Sequence, residues 1–136
     1  MPLRVTFVTF VFLCRVRWPT PREFANRILY SGPTDTGMQR LALSEDDKKV
    51  RDWFIETMKG LKCEITVDMM GNIFAVRPGR RKNVAPTFIG SHLDTQPTGG
   101  RYDGILGVLS GIEALKTMED MGLETEGGVG VVNWTK

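Results

Sequence analysis

The sequence has 136 residues, of which 41% are hydrophobic and 25% are charged, values that are ordinary for a globular protein. This length allows one domain with a modest core. The formal net charge of +2 gives no reason to expect a nucleic-acid partner. Two cysteines, Cys14 and Cys63, lie far apart without a C-x-x-C motif, so we expect two free thiols.

Residues 1–35 are an N-terminal extension of unclear origin. The apolar run Val5–Cys14 is too short to span a bilayer as a helix, so we expect no membrane partner. Arg4 before this run gives a weak similarity to a signal peptide, and the arginine-rich composition resembles a transit peptide. A non-homologous start, such as a misread exon, is an equal alternative. We expect a cytoplasmic protein, with targeting by this segment as the alternative.

Ser44 is expected to begin a helix. Asp47 follows three residues later, a spacing similar to a capping box. Four apolar side chains then recur at helical spacing and predict a face that packs on the core: Val50, Trp53, Phe54 and Met58. Gly60 is the expected end of this helix.

A β-hairpin is predicted next. Cys63, Ile65 and Val67 alternate with polar residues, and Asn72–Arg77 gives a second strand after a turn at Gly71. The basic run that follows is interpreted as an exposed loop. Phosphate contact is the alternative, but no aromatic residues are interleaved with the basic ones.

The remaining elements predict a strand–helix–strand unit. Thr87–Ile89 reads as a short buried strand, a helix runs from about Asp103 to Met121, and Val129–Trp134 is a second apolar strand. We expect the two strands to be parallel neighbours joined by a right-handed crossover, with the hairpin extending the same sheet.

The candidate site lies in the segment that reads GSHLDTQPTGGRYDGILG, which contains His92, the only histidine of the chain. His92 should end a strand and Asp103 should begin a helix, at the sheet edge where α/β proteins bind ligands. Imidazole and carboxylate groups there are natural ligands of a divalent metal. In His-x-Asp, Asp94 can accept the second ring N–H of a metal-bound histidine. The alternatives are a hydrogen-bonded surface histidine, a turn aspartate and a helix N-cap.

The motif GSHLDTQPTGGRYDGILGV resembles the metal-binding segment of the hydantoinase/carbamoylase branch of the M20 metallopeptidase-like amidohydrolases. This branch includes β-ureidopropionases, N-carbamoyl-L-amino-acid hydrolases and allantoate amidohydrolases. The segment QPTGGRYDGILGV is most similar to fungal β-ureidopropionase-type sequences. Three further segments extend the resemblance in order: Thr36–Phe54, Val67–Gly79 and Val131–Thr135.

The resemblance implies a fold and a metal site. Residues 36–136 would be the N-terminal part of the catalytic domain, a zinc-exopeptidase-like three-layer α/β/α sandwich, with the lid domain absent. Two divalent metal ions, zinc or manganese, would be bound, with His92 as a ligand of one and Asp103 as the bridge between them. Asp94 would hold the His92 ring. A cis peptide is implied between Asp103 and Gly104. Arg40 would lie near the cleft and could bind an anionic group, although a solvated arginine is the alternative that we favour from its type.

The resemblance also implies a reaction. A metal-activated water would attack the carbamoyl carbon of a small ureido acid and give ammonia, carbon dioxide and an amino acid. In the family the strand that ends in VVNWT continues into Asn-Glu-Glu-Gly, which supplies the base and a metal ligand, whereas Lys136 follows here. Further histidine ligands and the lid, which carries the homodimer interface, would lie beyond. We therefore expect an inactive fragment. The alternatives are a non-catalytic product that binds metal weakly or pairs with a full-length homologue, and a peptidase of the same superfamily, which the GGRYDG wording disfavours.

Overall fold

The computed structural model of the protein describes residues 37–135, which form a mixed α/β unit. Its elements are, in chain order, α1 (Glu45–Gly60), β1 (Glu64–Val67), β2 (Ile73–Arg77), β3 (Thr87–His92), α2 (Ile105–Asp120) and β4 (Val129–Trp134). The four strands make one sheet in the order β1-β2-β4-β3. Among these described elements, neither helix has the length and apolar content needed to cross a membrane.

Helix α1 begins as its sequence predicts. Ser44 is the N-cap, and its hydroxyl accepts a hydrogen bond from the backbone N–H of Asp47 at 3.2 Å. The Asp47 carboxylate accepts in turn from the backbone N–H of Leu43 at 3.0 Å, so one free donor in the first turn and one before the N-cap are satisfied. The helix ends at Gly60.

The predicted sheet pairings are confirmed. β3 and β4 are parallel, in a register that runs from Thr87 opposite Val129 to His92 opposite Trp134, and α2 connects them. β1 and β2 form the antiparallel hairpin, and β2 pairs with β4, so the hairpin extends the same sheet. The handedness of the β3–α2–β4 connection stays a prediction.

Both described helices pack on one face of the sheet, around a single apolar core. Its fully buried members come from both helices and from the two central strands, and they include Val50, Phe54, Met58, Ile73, Ala75, Val108, Ile112, Leu115 and Val131. Residues 37–135 therefore contain two of the three expected layers, the sheet and one helical layer. The apolar face predicted for α1 is confirmed, with Trp53 packed against the edge of the core.

The opposite face of the sheet carries aromatic side chains. Phe74 makes edge-to-face contacts with Phe88 and Trp134, at ring-centroid distances of 5.7 and 5.6 Å. Phe88 and Trp134 are nevertheless partly exposed. The prediction that Thr87–Ile89 is a buried strand is wrong for this part of the chain, because β3 lies at the edge of the described sheet.

Cys63 is a buried free thiol, as predicted, and burial raises its pKa to about 11. The predictions for Cys14 and for the apolar run Val5–Cys14 lie outside the described residues.

Candidate functional site

His92 is the last residue of β3 and lies at the carboxyl end of the strand. Its Nδ1 atom is 2.9 Å from the backbone oxygen of Asp94, within hydrogen-bond distance. The Asp94 carboxylate is farther away, at 3.6 Å from the same nitrogen. Asp94 is therefore next to the ring, as predicted, but the acceptor within hydrogen-bond distance is its backbone oxygen.

This contact assigns the tautomer of the neutral ring. A carbonyl oxygen can only accept, so Nδ1 must carry the proton and Nε2 must keep its lone pair. A histidine that donates one ring N–H to a carbonyl is the arrangement found around metal-binding histidines, in which the other nitrogen is the ligand. The geometry of His92 is thus compatible with a metal at Nε2.

Asp103 and Gly104 lie beside His92, in the turn before α2. A Cβ atom built on Gly104 would be 2.5 Å from both Nδ1 and the backbone oxygen of His92, so the turn touches the imidazole. The Asp103 side chain is exposed, and Gly104, rather than Asp103, is the N-cap residue of α2. The topology therefore places the turn that carries Asp103 next to His92, as the sequence predicts.

The prediction of a cis peptide between Asp103 and Gly104 is wrong for this structure, since residues 37–135 contain none. Gly104 has φ 74° and ψ −51°, and the N–H of Ile105 donates to the backbone oxygen of Asp103 at 2.9 Å. These values describe a γ-turn centred on Gly104. The turn reverses the chain with trans peptides only and avoids the roughly 2.5–4 kcal/mol cost of a non-proline cis bond.

The peptide groups of Leu93, between His92 and Asp94, are held from two directions. The backbone N–H of Leu93 donates to Oδ1 of Asn133 at 2.9 Å. Its backbone oxygen accepts from the Arg40 guanidinium, through Nε at 2.8 Å and also through Nη2. Two residues from distant parts of the chain therefore contact the same turn.

Arg40 is only 2% exposed, so the expectation of a solvated arginine is wrong. The reason is a short pairing of its segment with the loop after β3. The backbone N–H of Arg40 donates to Oγ1 of Thr95 at 2.7 Å, its backbone oxygen accepts from the N–H of Thr95, and Met38 pairs with Gly99. An anion-binding role for Arg40 stays a prediction, because the side-chain hydrogen bonds described for it go to the backbone of Leu93.

Burial changes the pKa values of charged residues around the Leu93 turn. It lowers the pKa of Arg40, and the nearby carboxylates of Asp47 and Asp94 partly offset this decrease. Burial likewise raises the pKa of Asp47. Two buried nitrogens of the cluster have no hydrogen-bond partner among the described residues, Nη1 of Arg40 and Nδ2 of Asn133.

Sequence reasoning missed Asn133 and Thr95. Asn133 is a polar residue in the otherwise apolar strand β4, and the two-residue alternation places it on the same face as the buried Val131. That pattern was a readable signal, because a buried amide needs partners. Thr95 carried no comparable signal, since its role depends on the pairing with Arg40.

Within residues 37–135, no three His, Cys, Asp or Glu side chains lie close enough together to hold a metal ion. The described part of the site therefore offers the imidazole of His92 and the carboxylates of Asp94, which is 3.6 Å from the ring, and of Asp103 in the adjacent turn. These groups match the donor preferences of zinc and manganese in kind, although not in number.

The comparisons with known proteins agree with one another. No family model matches the chain. The chain is 46% identical over 99 residues to an N-carbamoyl-L-amino-acid amidohydrolase of Rhizobium meliloti, a match that covers 73% of this chain and 24% of the relative. It is 31% identical over 114 residues to a ureidoglycolate hydrolase of Oryza sativa subsp. japonica, covering 84% of this chain and 24% of the relative.

A solved structure gives the same result. The crystal structure of an amidase of the hydantoinase/carbamoylase family from Burkholderia multivorans superposes with a TM-score of 0.80 at 45% sequence identity. That match covers 88% of this chain and 28% of the other chain. This chain belongs to the hydantoinase/carbamoylase family. It corresponds to a part of the longer family members.

Membership of the hydantoinase/carbamoylase family confirms the resemblance that the motifs predicted, and it confirms a partial α/β catalytic domain as the fold class. The division at residues 35 and 36 stays a prediction. So do the roles of His92, Asp94, Asp103 and Arg40.

Proposed function

We propose that this chain is part of a metal-dependent amidohydrolase that cleaves a C–N bond of a linear ureido compound, such as an N-carbamoyl amino acid. The observation that carries the proposal is the 46% identity over 99 residues to an N-carbamoyl-L-amino-acid amidohydrolase. The arrangement of His92 supports the metal dependence, because its ring keeps Nε2 available beside the Asp103 turn.

In this proposal His92, through Nε2, and Asp103 would hold divalent metal. When bound, a metal pair lowers the pKa of a water molecule and polarises the substrate carbonyl. The chain's own contribution is to hold the proton of His92 on Nδ1, against the backbone oxygen of Asp94. That hydrogen bond fixes the ring orientation and makes Nε2 a better ligand.

A chimera tests the proposal. The segment of this chain that matches the Rhizobium meliloti relative replaces the corresponding segment of that protein, and ammonia release from an N-carbamoyl-L-amino acid is measured with zinc or manganese. We expect hydrolysis that falls at least about 100-fold in His92→Ala, since even the loss of a residue that supports a ligand costs about 10–100-fold. Asp120→Asn, at the exposed end of α2, is the control and should retain activity.

One result would contradict the proposal. It is a chimera that folds with the thermal stability of its parent, binds the metal, and hydrolyses no ureido acid. A chimera that remains active when His92 is replaced by alanine would leave the amidohydrolase assignment standing but would refute the proposed metal ligand.

A second candidate is a chain that binds metal weakly without turnover. The observation that favours it is that no cluster of three metal-binding side chains occurs among residues 37–135. We accordingly propose that the 136-residue chain alone releases no ammonia from a ureido acid, even with metal supplied. Zinc titration of the chain and of His92→Ala, alongside the ammonia assay, tests this. Turnover by the chain that is lost in His92→Ala would contradict it.

A further inference from the structure

The turn that carries His92 and Asp94 is held by hydrogen bonds that the family comparison does not describe. Its central peptide groups belong to Leu93, whose side chain is fully buried in the core. The Leu93 N–H donates to Oδ1 of Asn133, 40 residues away in sequence. The Leu93 oxygen accepts from Nε of Arg40, which is 53 residues away on the other side.

We propose that Asn133 and Arg40 are positioning residues that clamp the Leu93 backbone from both sides and so fix the His92 ring with Nδ1 against Asp94 O and Nε2 available to a metal. The hydrogen bond between His92 and Asp94 closes over Leu93, so its length depends on the backbone path through that residue. A rotation of either Leu93 peptide group moves the Asp94 oxygen relative to the ring.

Burial makes this clamp effective. Asn133 is 1% exposed and Arg40 is 2% exposed, so neither side chain can replace a lost bond by one to bulk water. An unmade hydrogen bond in such a place leaves a desolvated polar group, which disfavours alternative paths of the backbone. Arg40 contributes two donors to one acceptor, and its guanidinium is rigid and planar.

The clamp also connects separate elements. Asn133 lies in β4, next to Ser91 of β3 in the parallel register, while Arg40 precedes α1 and is anchored by Thr95. The His92 turn is thus tied to the neighbouring strand and to the segment that leads into α1. The clamp itself does not depend on the proposed function. Only its consequence, that Nε2 is presented to a metal, rests on that function.

The tautomer of His92 tests the clamp directly. His92 is the only histidine, so long-range proton–nitrogen NMR spectra of the uniformly labelled 136-residue chain report on it alone. The spectra are recorded at about pH 8, where an ordinary imidazole is neutral.

We expect the Nδ1–H tautomer in the wild-type chain and a shift toward Nε2–H in Asn133→Leu, which removes the acceptor at similar volume. Asn133→Asp keeps an oxygen acceptor and should restore the wild-type spectrum. Arg40→Lys should shift the tautomer part of the way.

Asn72→Leu is the matched control. Asn72 also accepts a backbone N–H through Oδ1 at 2.9 Å, from Thr135 directly after β4, and its described side-chain hydrogen bonds go to Thr135 and Asp68 rather than to Leu93. A merely structural role for Asn133 would make both leucine variants behave alike. Hydrogen exchange of the Leu93 amide gives a second measurement. We expect it to be slowed at least about 100-fold in the wild-type chain, and to lose that protection in Asn133→Leu but not in Asn72→Leu.

The measurements on the wild-type chain test the clamp even if none of the variants folds. An Nε2–H tautomer, or an unprotected Leu93 amide, in the folded wild-type chain would overturn the clamp. An unchanged tautomer in folded Asn133→Leu would overturn it as well. Zinc titration of the same proteins judges the proposed function separately. Wild-type binding that weakens about tenfold in Asn133→Leu, and is unchanged in Asn72→Leu, supports both. A chain that shows the expected tautomers but never binds zinc refutes metal binding by the 136-residue chain and leaves the clamp intact.

Discussion

Replacing Gly104 by alanine should disturb both the fold and the His92 ring. Gly104 is the central residue of the γ-turn between Asp103 and Ile105, with φ 74° and ψ −51°. A Cβ atom there would lie 2.5 Å from Nδ1 of His92, whereas ordinary van der Waals contact begins near 3.4 Å. The ring or the turn would have to move by about 1 Å in a closely packed region.

The expected loss of stability has two parts. A side chain in a sparsely populated backbone region costs about 1–3 kcal/mol. Forcing extra volume into a packed site costs a further 1–3 kcal/mol, roughly, because the neighbours must leave their preferred rotamers. We therefore expect the free energy of unfolding of Gly104→Ala to fall by about 2–6 kcal/mol.

Gly122→Ala separates these two parts. Gly122 also has a positive φ, 62°, but a Cβ atom on it would meet no atom within 4 Å. Its substitution should cost only the backbone part, about 1–2 kcal/mol. Urea denaturation measures both losses, and the NMR signals of His92 should move only in Gly104→Ala. If the two variants were equally destabilised and His92 were unchanged in both, the contact between the turn and the ring would be refuted.

Three further predictions concern stability. Phe54→Ala should lower the free energy of unfolding by about 3–5 kcal/mol, measured by urea denaturation, because its ring is fully buried; a loss below about 1 kcal/mol would contradict the core described here. Ser44→Ala should cost about 1 kcal/mol in the same assay and Ser44→Thr much less, since the hydroxyl caps α1. Burial raises the pKa of Cys63 from 9.0 to about 11, so the folded state keeps a proton that the unfolded state loses, and stability should fall as the pH rises through that range. Urea titrations at about pH 8 and about pH 10.5 test this against Cys63→Ala, which should lack that component of the pH dependence.

The elements that the sequence predicted well have local signals. Ser44 and Asp47 mark the beginning of α1, and Gly60 its end, within a single stretch of chain. The hairpin could be predicted because two alternating strands flank a turn at Gly71, whose φ is 82°. Such signals need no knowledge of what packs against the element.

The arrangement around His92 was predicted only in part. Its position at the end of a strand, near Asp103, follows from the strand–helix order and the topology of α/β sheets. The burial of Arg40 could not be predicted, because it depends on a pairing with Thr95 at a separation of 55 residues. Residue type alone favours solvent for an arginine, and only tertiary contacts reverse that preference.

At two further places the structure differs from the sequence prediction because local sequence does not determine tertiary contacts. The apolar run Thr87–Ile89 indicated a buried strand, but burial depends on whether a neighbour covers the strand, and β3 is at the edge of the sheet formed by residues 37–135. Likewise, the family resemblance implies a cis peptide between Asp103 and Gly104, but glycine permits several sharp turns. The sequence cannot distinguish a cis peptide from a γ-turn here, because glycine at position 104 permits either.

The glycines of α2 connect the packing of the helix with the geometry of the site. A Cβ atom on Gly107 would lie 2.8 Å from the Ser91 side chain, and one on Gly111 would lie 2.9 Å from Val131. The helix can therefore approach β3 and β4 more closely than side chains would allow. Because Gly104 is the N-cap of the same helix and touches the His92 ring, this close approach also sets the distance between the Asp103 turn and the imidazole. The glycines disfavour the isolated helix, each by about 1 kcal/mol relative to alanine, and that cost is offset only where the close approach is needed. We propose that it is needed here because His92 at the end of β3 and Asp103 before α2 could both hold metal only if the helix and the strand are close.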